Sequence, residues 1–127
     1  MMRHMLTMAV VLCLSLCCMA GCKKGTCDET LLPGLWTSAH YTMEIGSDFT
    51  FEAAGAPNLM QIDVSGTIDT DGCDFNITDT AGTYACPEDQ VGKYTFTVTG
   101  TELRLTAVED PCDGRRIPLD GAKLKRG

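Results

Sequence analysis

Residues 93–110 read KYTFTVTGTELRLTAVED. Tyr94, Phe96 and Val98 alternate with Lys93, Thr95, Thr97 and Thr99. After Gly100-Thr101 the alternation resumes, with Leu103, Leu105 and Ala107 set between Glu102, Arg104 and Thr106. Period-two alternation broken by a short Gly-containing step predicts a β-hairpin. Glycine at the first central position suits a two-residue turn. That turn sets Val98 opposite Leu103, Phe96 opposite Leu105 and Tyr94 opposite Ala107. Every inward pair is then apolar and every outward residue tolerates water. A slip by one residue would send the whole apolar set to the solvent face, so the register is well specified.

The same pattern extends outward through most of the chain. Tyr41, Met43 and Ile45 alternate with Thr42 and Glu44; Phe49, Phe51 and Ala53 alternate with Thr50 and Glu52. A three-residue loop at Gly46-Ser47-Asp48 would set Ile45 opposite Phe49 and Met43 opposite Phe51. Met60, Ile62, Val64, Gly66 and Ile68 share one face of a long strand. A tight turn centred on Asp71-Gly72 would then place Ile68 opposite Phe75 and Gly66 opposite Ile77. Gly66 is a natural place for a bend or bulge. Leu35 to Ser38 make a first strand, and Ala122, Leu124 and Arg126 share one side of a short last one. No segment reads as a helix. Eight strands are an even number, so the expectation is an all-β fold: a small eight-stranded antiparallel up-and-down β-barrel, closed by pairing its last strand with its first. Closure also removes the exposed edges that invite aggregation.

The N-terminus reads differently. Arg3 and His4 precede LTMAVVLCLSLCCMA, fifteen uncharged residues from Leu6 to Ala20. That is shorter than the roughly 20 residues a resident membrane helix needs, and it fits a secretory signal peptide. Met19-Ala20-Gly21-Cys22 resembles the lipobox of bacterial lipoprotein signal peptides. The resemblance implies a signal peptide over residues 1–21, cleavage before Cys22 and a diacylglyceryl group on the Cys22 thiol. Two or three acyl chains hold a protein to a membrane where one holds it only marginally, at about 0.8 kcal/mol per buried CH₂. Residues 22–31 would be the lipidated cysteine and its tether, and residues 32–127 the barrel domain. Lys23 is not the aspartate that retains enterobacterial lipoproteins at the inner membrane, so the resemblance implies a lipid-anchored place in the bacterial envelope, at the outer membrane.

Loss of residues 1–21 from the 127 leaves 106, enough for one domain with a modest core. The mature chain keeps nine basic and seventeen acidic side chains, a net charge of −8. That balance argues against nucleic acid as a partner. Cys13, Cys17 and Cys18 leave with the signal and Cys22 carries lipid, so Cys27, Cys73, Cys86 and Cys112 remain for two disulfides. The hairpin register favours Cys86 with Cys112. They lie eight residues before Tyr94 and five after Ala107, and a small irregularity between Cys86 and Val91 would absorb the difference of three. Cys27 then pairs with Cys73. The competing choice is Cys73 with Cys86, joined across a loop.

Gly34-Leu35-Trp36 opens the first strand. Gly92-Lys93-Tyr94-Thr95-Phe96, Gly100-Thr101-Glu102-Leu103-Arg104-Leu105 and Asp110-Pro111-Cys112-Asp113-Gly114-Arg115 follow in that order. This order resembles that of small bacterial secreted lipocalin-like proteins, within the lipocalin and calycin superfamily. The resemblance implies that Trp36 closes one end of the barrel with a basic residue of the last strand packed across it: Arg126, or Lys125 as the alternative. Where that family often has Trp-x-Arg, this chain has Leu124-Lys125-Arg126.

Chemistry is sparse. DTDGCD, residues 69–74, fails the spacing of a calcium loop, and a hairpin turn is the better reading. The mature chain has no close cysteine pair for zinc beyond Cys22. Its one histidine, His40, falls in a turn between strands, and no G-x-S-x-G frames a serine. Asp113-Gly114-Arg115-Arg116 reads as a surface turn with Arg115 paired to Asp110 or Asp113, or as an anion-binding spot. No catalytic residue, cofactor or metal is expected, and the chain does not read as an enzyme. Two functions remain. One is the binding of a small apolar ligand, with Met43, Phe51, Ile62, Phe75 and Phe96 around it. The other is a protein-interaction module with a solid core, as in the small eight-stranded periplasmic metalloprotease inhibitors, or a structural envelope lipoprotein. A closed cavity of ~300 Å³ or more, lined by these five side chains, favours the first, and a solid core favours the second.

Overall fold

A computed structural model describes residues 25–55 and 63–127. Eight strands follow one another: β1 (Gly34–Thr37), β2 (Tyr41–Ile45), β3 (Thr50–Gly55), β4 (Asp63–Asp71), β5 (Asp74–Ala81), β6 (Gly92–Val98), β7 (Glu102–Glu109) and β8 (Lys123–Arg126). Each pairs antiparallel with the next, and β8 returns to β1 through Trp36↔Arg126 and Thr37↔Lys125, so the barrel is closed. The fold is the all-β up-and-down barrel that the alternation predicts. Among the described residues no helix is long and apolar enough to cross a membrane.

The β6–β7 hairpin has the predicted register: Val98↔Leu103, Phe96↔Leu105 and Tyr94↔Ala107. Its irregularity lies at Lys93/Tyr94, later than the Cys86–Val91 segment expected to hold it. Two other hairpins depart from expectation. Ile45 faces Phe51 and Met43 faces Ala53, two residues beyond the expected partners. The cause is Phe49, which sits in the turn with a left-handed φ of 61°, where glycine is the usual residue. Its N–H donates to the Gly46 carbonyl, and the Asp48 carboxylate accepts from Thr50 N–H and Oγ. Likewise Ile68 faces Ile77 and Thr70 faces Phe75, because the β4–β5 turn is centred on Gly72-Cys73 rather than Asp71-Gly72. Gly72 then takes the first central position with φ 61°, the position that requires it. Both errors are shifts of two, so no face is inverted.

Gly66 does mark a bulge, where the β4–β5 register shifts between Ser65 and Gly66. A Cβ on Gly66 would lie 1.9 Å from the Thr78 carbonyl oxygen, which is why no side chain fits there.

One cluster fills the interior, including Leu32, Trp36, Phe75, Phe96, Leu103 and Leu124, each at most 1% exposed. A short 3₁₀ turn, Glu29–Leu31, precedes the barrel, capped by the Asp28 side chain. One α-helix, α1 (Asp113–Leu119), interrupts the β7–β8 connection where no helix was expected. Disulfides join Cys27 to Cys73 (Cα–Cα 4.8 Å) and Cys86 to Cys112 (6.2 Å), the pairing the hairpin register favours. They sit at opposite ends. Cys73 is in the β4–β5 turn, beside the β2–β3 and β6–β7 turns; Cys86 and Cys112 are in the long connections at the other end. Structural disulfides belong to an oxidising, exported compartment.

Candidate functional site: one closed end and one cavity

The end holding Trp36 is shut. Its indole is fully buried, and Nε1 donates to the Leu32 carbonyl at 2.8 Å. The Arg126 guanidinium lies 4.2 Å from the ring centroid, within cation–π range. It also donates to the carbonyls of Gly100, Pro33 and Leu31, tying the β6–β7 turn to the chain before β1. Lys125, the alternative, pairs with Thr37 and is exposed. Gly34 lies under the guanidinium: a Cβ there would sit 2.4 Å from Arg126 Nη1. Next to this lid, Phe75 and Phe96 pack with ring centroids 6.0 Å apart.

The opposite end holds a cavity of about 340 Å³. β2 and β3 supply Tyr41, Met43, Phe51 and Ala53; β4 and β5 supply Val64, Ile77 and Asp79. Tyr84 stands at the mouth, 59% exposed. Helix α1 crosses this end and contributes Gly114, Arg115, Pro118 and Leu119. Seven residues containing Gly114 and Pro118 have little intrinsic helicity, so the helix is held from outside. Arg115 and Leu119, four apart, are its buried side chains. Tyr41 Oη donates to the Pro118 carbonyl at 3.2 Å, and burial pushes the Tyr41 phenol up to about 12.

Arg115 is the organising charge. Only 6% of its side chain is exposed, so it is not in a surface turn. Its Nε and Nη2 donate to Asp110 Oδ2 and Oδ1, both at 2.8 Å, a bidentate pair. Nη2 also donates to the Gln90 carbonyl. Asp110 accepts further from Tyr94 Oη and from Cys112 N–H. Burial alone would raise the Asp110 carboxyl; the bonds from Arg115, Tyr94 and Cys112 reverse this and hold it below the usual range. Burial, then the bond to Asp110, pushes the Tyr94 phenol far up. On the other side of the guanidinium, Nη1 lies 3.3 Å from Asp79 Oδ1. Asp79 Oδ2 accepts from Cys86 N–H at 2.8 Å.

Comparison with family models, with curated proteins and with solved structures finds no match to this chain. The site therefore rests on its own residues. Of the side chains expected around a ligand, Met43 and Phe51 line the cavity, while Phe75 and Phe96 belong to the packed end beside Trp36. Ile62 and the lipidation candidate Cys22 lie outside the described residues. Two carboxylates are buried, Asp79 and Asp110, at 2% and 7% exposed. Asp79 carried a signal, because Phe75, Ile77 and Asp79 share one parity and parity points all three inward. The sequence offers Asp110 as a partner of Arg115, and the structure makes that pair; the burial of Arg115 carries no signal, because a seven-residue helix shows no period.

Proposed function

We propose that this protein is a lipid-anchored binding protein of the bacterial envelope, holding one small, mainly apolar ligand in the cavity of its barrel. The observation that supports this best is the cavity itself. About 340 Å³ lies at the lower end of the range for ligand pockets, roughly 300–1,000 Å³. Its walls are largely Tyr41, Met43, Phe51, Ala53, Val64 and Ile77. A barrel of this size is commonly filled by its own side chains; here they fill the Trp36 end and, among the described residues, leave a cavity at the other. The arrangement supports a resemblance to lipocalins, in which a closed base and an open mouth define the site. It assigns no catalytic step.

The anchor rests on Met19-Ala20-Gly21-Cys22 after an uncharged run, and the two disulfides suit the oxidising, exported environment it implies. Lys23 next to the anchor supports the outer membrane. Native mass spectrometry of the protein extracted from its own host tests the binding role. The expected result is a retained mass of small-molecule size, absent from a Met43→Trp variant whose larger side chain fills the cavity. A protein that comes out empty, or bound to another envelope protein, overturns this reading in favour of an interaction module.

A further inference from the structure

The cavity wall is not wholly apolar. Asp79 and Arg115 line it, with side chains only 3% and 6% exposed. Their two ends toward each other are Asp79 Oδ1 and Arg115 Nη1. Both atoms are fully buried, and among the described residues neither has a hydrogen-bond partner. They lie 3.3 Å apart, close enough to attract but misaligned for a hydrogen bond. Every other polar atom of the two side chains is engaged. Asp79 Oδ2 accepts from Cys86 N–H, and Arg115 Nε and Nη2 donate to Asp110 and the Gln90 carbonyl. Buried polar groups in folded proteins are nearly always satisfied, so an acceptor and a donor left side by side in two residues that line a ligand-sized cavity mark a recognition point, reached when a head group parts the 3.3 Å contact between them.

We infer that the ligand carries a neutral head group that both donates and accepts, an alcohol or a primary amide, which bridges Asp79 Oδ1 and Arg115 Nη1 while its apolar body fills the space between Met43, Phe51 and Ile77. This rests on the binding role proposed above and specifies its ligand class. A hydroxyl gives its proton to Oδ1 and takes one from Nη1, so both orphaned atoms are satisfied at once. A carboxylate would satisfy Nη1 but stand against the Asp79 carboxylate. An ammonium would satisfy Oδ1 but stand against the guanidinium. An ether offers an acceptor only and leaves Oδ1 without a donor.

Titration calorimetry on the full chain with 1-octanol, octanamide, methyl octyl ether, octanoate and octylammonium tests the inference. The body is constant and only the head changes. The alcohol and the amide should bind about tenfold or more tighter than the other three, as a bond to a charged group implies. In Asp79→Asn, checked for native fold by circular dichroism, the alcohol's advantage over the ether should collapse. If the ether or octanoate binds as well as octanol to the unmodified protein, the head-group inference is wrong while the binding role stands. If none of the five binds, both fall. Should Asp79→Asn not fold, the ranking on the unmodified protein still decides.

Discussion

Asp110 concentrates more of the fold's polar bonding than any other carboxylate described here, receiving Tyr94, both sides of the Arg115 fork and a backbone N–H. Asp110→Ala would leave a buried guanidinium with only the Gln90 carbonyl and the misaligned Asp79 carboxylate. Such breaks cost about 3–5 kcal/mol, to be read from urea unfolding. The same bonds fix how stability depends on pH. The folded carboxyl is held low, whereas an unfolded aspartate titrates near 3.9. The bonds' contribution is therefore complete above about pH 4 and disappears as pH falls through the folded value. At the alkaline end the sign reverses. Tyr41 is pushed up to about 12 and Tyr94 is raised too, while unfolded tyrosine releases its proton near 10. The folded state then binds more protons than the unfolded one, so stability declines above about pH 10. Melting temperature followed from acid to alkali should fall on both sides, and a flat profile would contradict the cluster. Trp36 behaves differently, because nothing about it titrates. Trp36→Ala should cost about 3–5 kcal/mol, and the native indole emission should be blue-shifted and move red on unfolding.

At the level of strands and turns, Gly66 is the most constrained position in the sheet. Gly66→Ala puts a methyl group onto the Thr78 carbonyl and against Phe51. Overpacking of this kind costs about 1–3 kcal/mol, and a variant as stable as the parent would show that the bulge tolerates a side chain. The bulge was legible in the sequence because a glycine interrupted an otherwise apolar face. Alternation was also legible wherever one face is buried, so all eight strands and both inward faces of the β6–β7 hairpin could be read. Two turns were misjudged by a single residue each. Phe49 occupies a left-handed position that sequence would give to glycine, and Gly72 serves its turn as well in first place as in second. Helix α1 was invisible for a physical reason: its stability comes from Tyr41, from the Asp110 carboxylate that holds Arg115 and from the disulfide at Cys112, partners outside its own seven residues. The candidate site was therefore half legible. Met43 and Phe51 announced themselves by parity, Asp79 did so unheeded, and Arg115 was legible as a partner of Asp110, but its burial depended on tertiary structure.

Across the whole molecule, the two disulfides act on different regions. In the chain-entropy picture, removing Cys86–Cys112 costs about 3.5 kcal/mol and removing Cys27–Cys73 about 4. Only the first should weaken ligand binding, because Cys86 N–H holds Asp79; affinity measured on the two double Cys→Ser variants separates them. Cys22→Ser should abolish fatty-acid labelling and release the protein from membranes, and a mutant that still takes up label would refute the anchor. Thr26 bridges to Val98, and Cys27 is bonded to Cys73, so the chain joins the barrel at the Trp36 end. Four residues lie between Cys22 and Cys27, so the two are at most about 18 Å of extended chain apart. A lipid on Cys22 would thus hold the shut end toward the bilayer and turn the mouth, with Tyr84 at its rim, outward to the water. Cargo would then be exchanged with the aqueous space or with a visiting carrier, and not drawn sideways out of the leaflet to which the protein is tied. Octanol supplied from solution should accordingly load the anchored protein as fast as the released Cys22→Ser form. Slower loading of the anchored form would mean that the mouth faces the membrane.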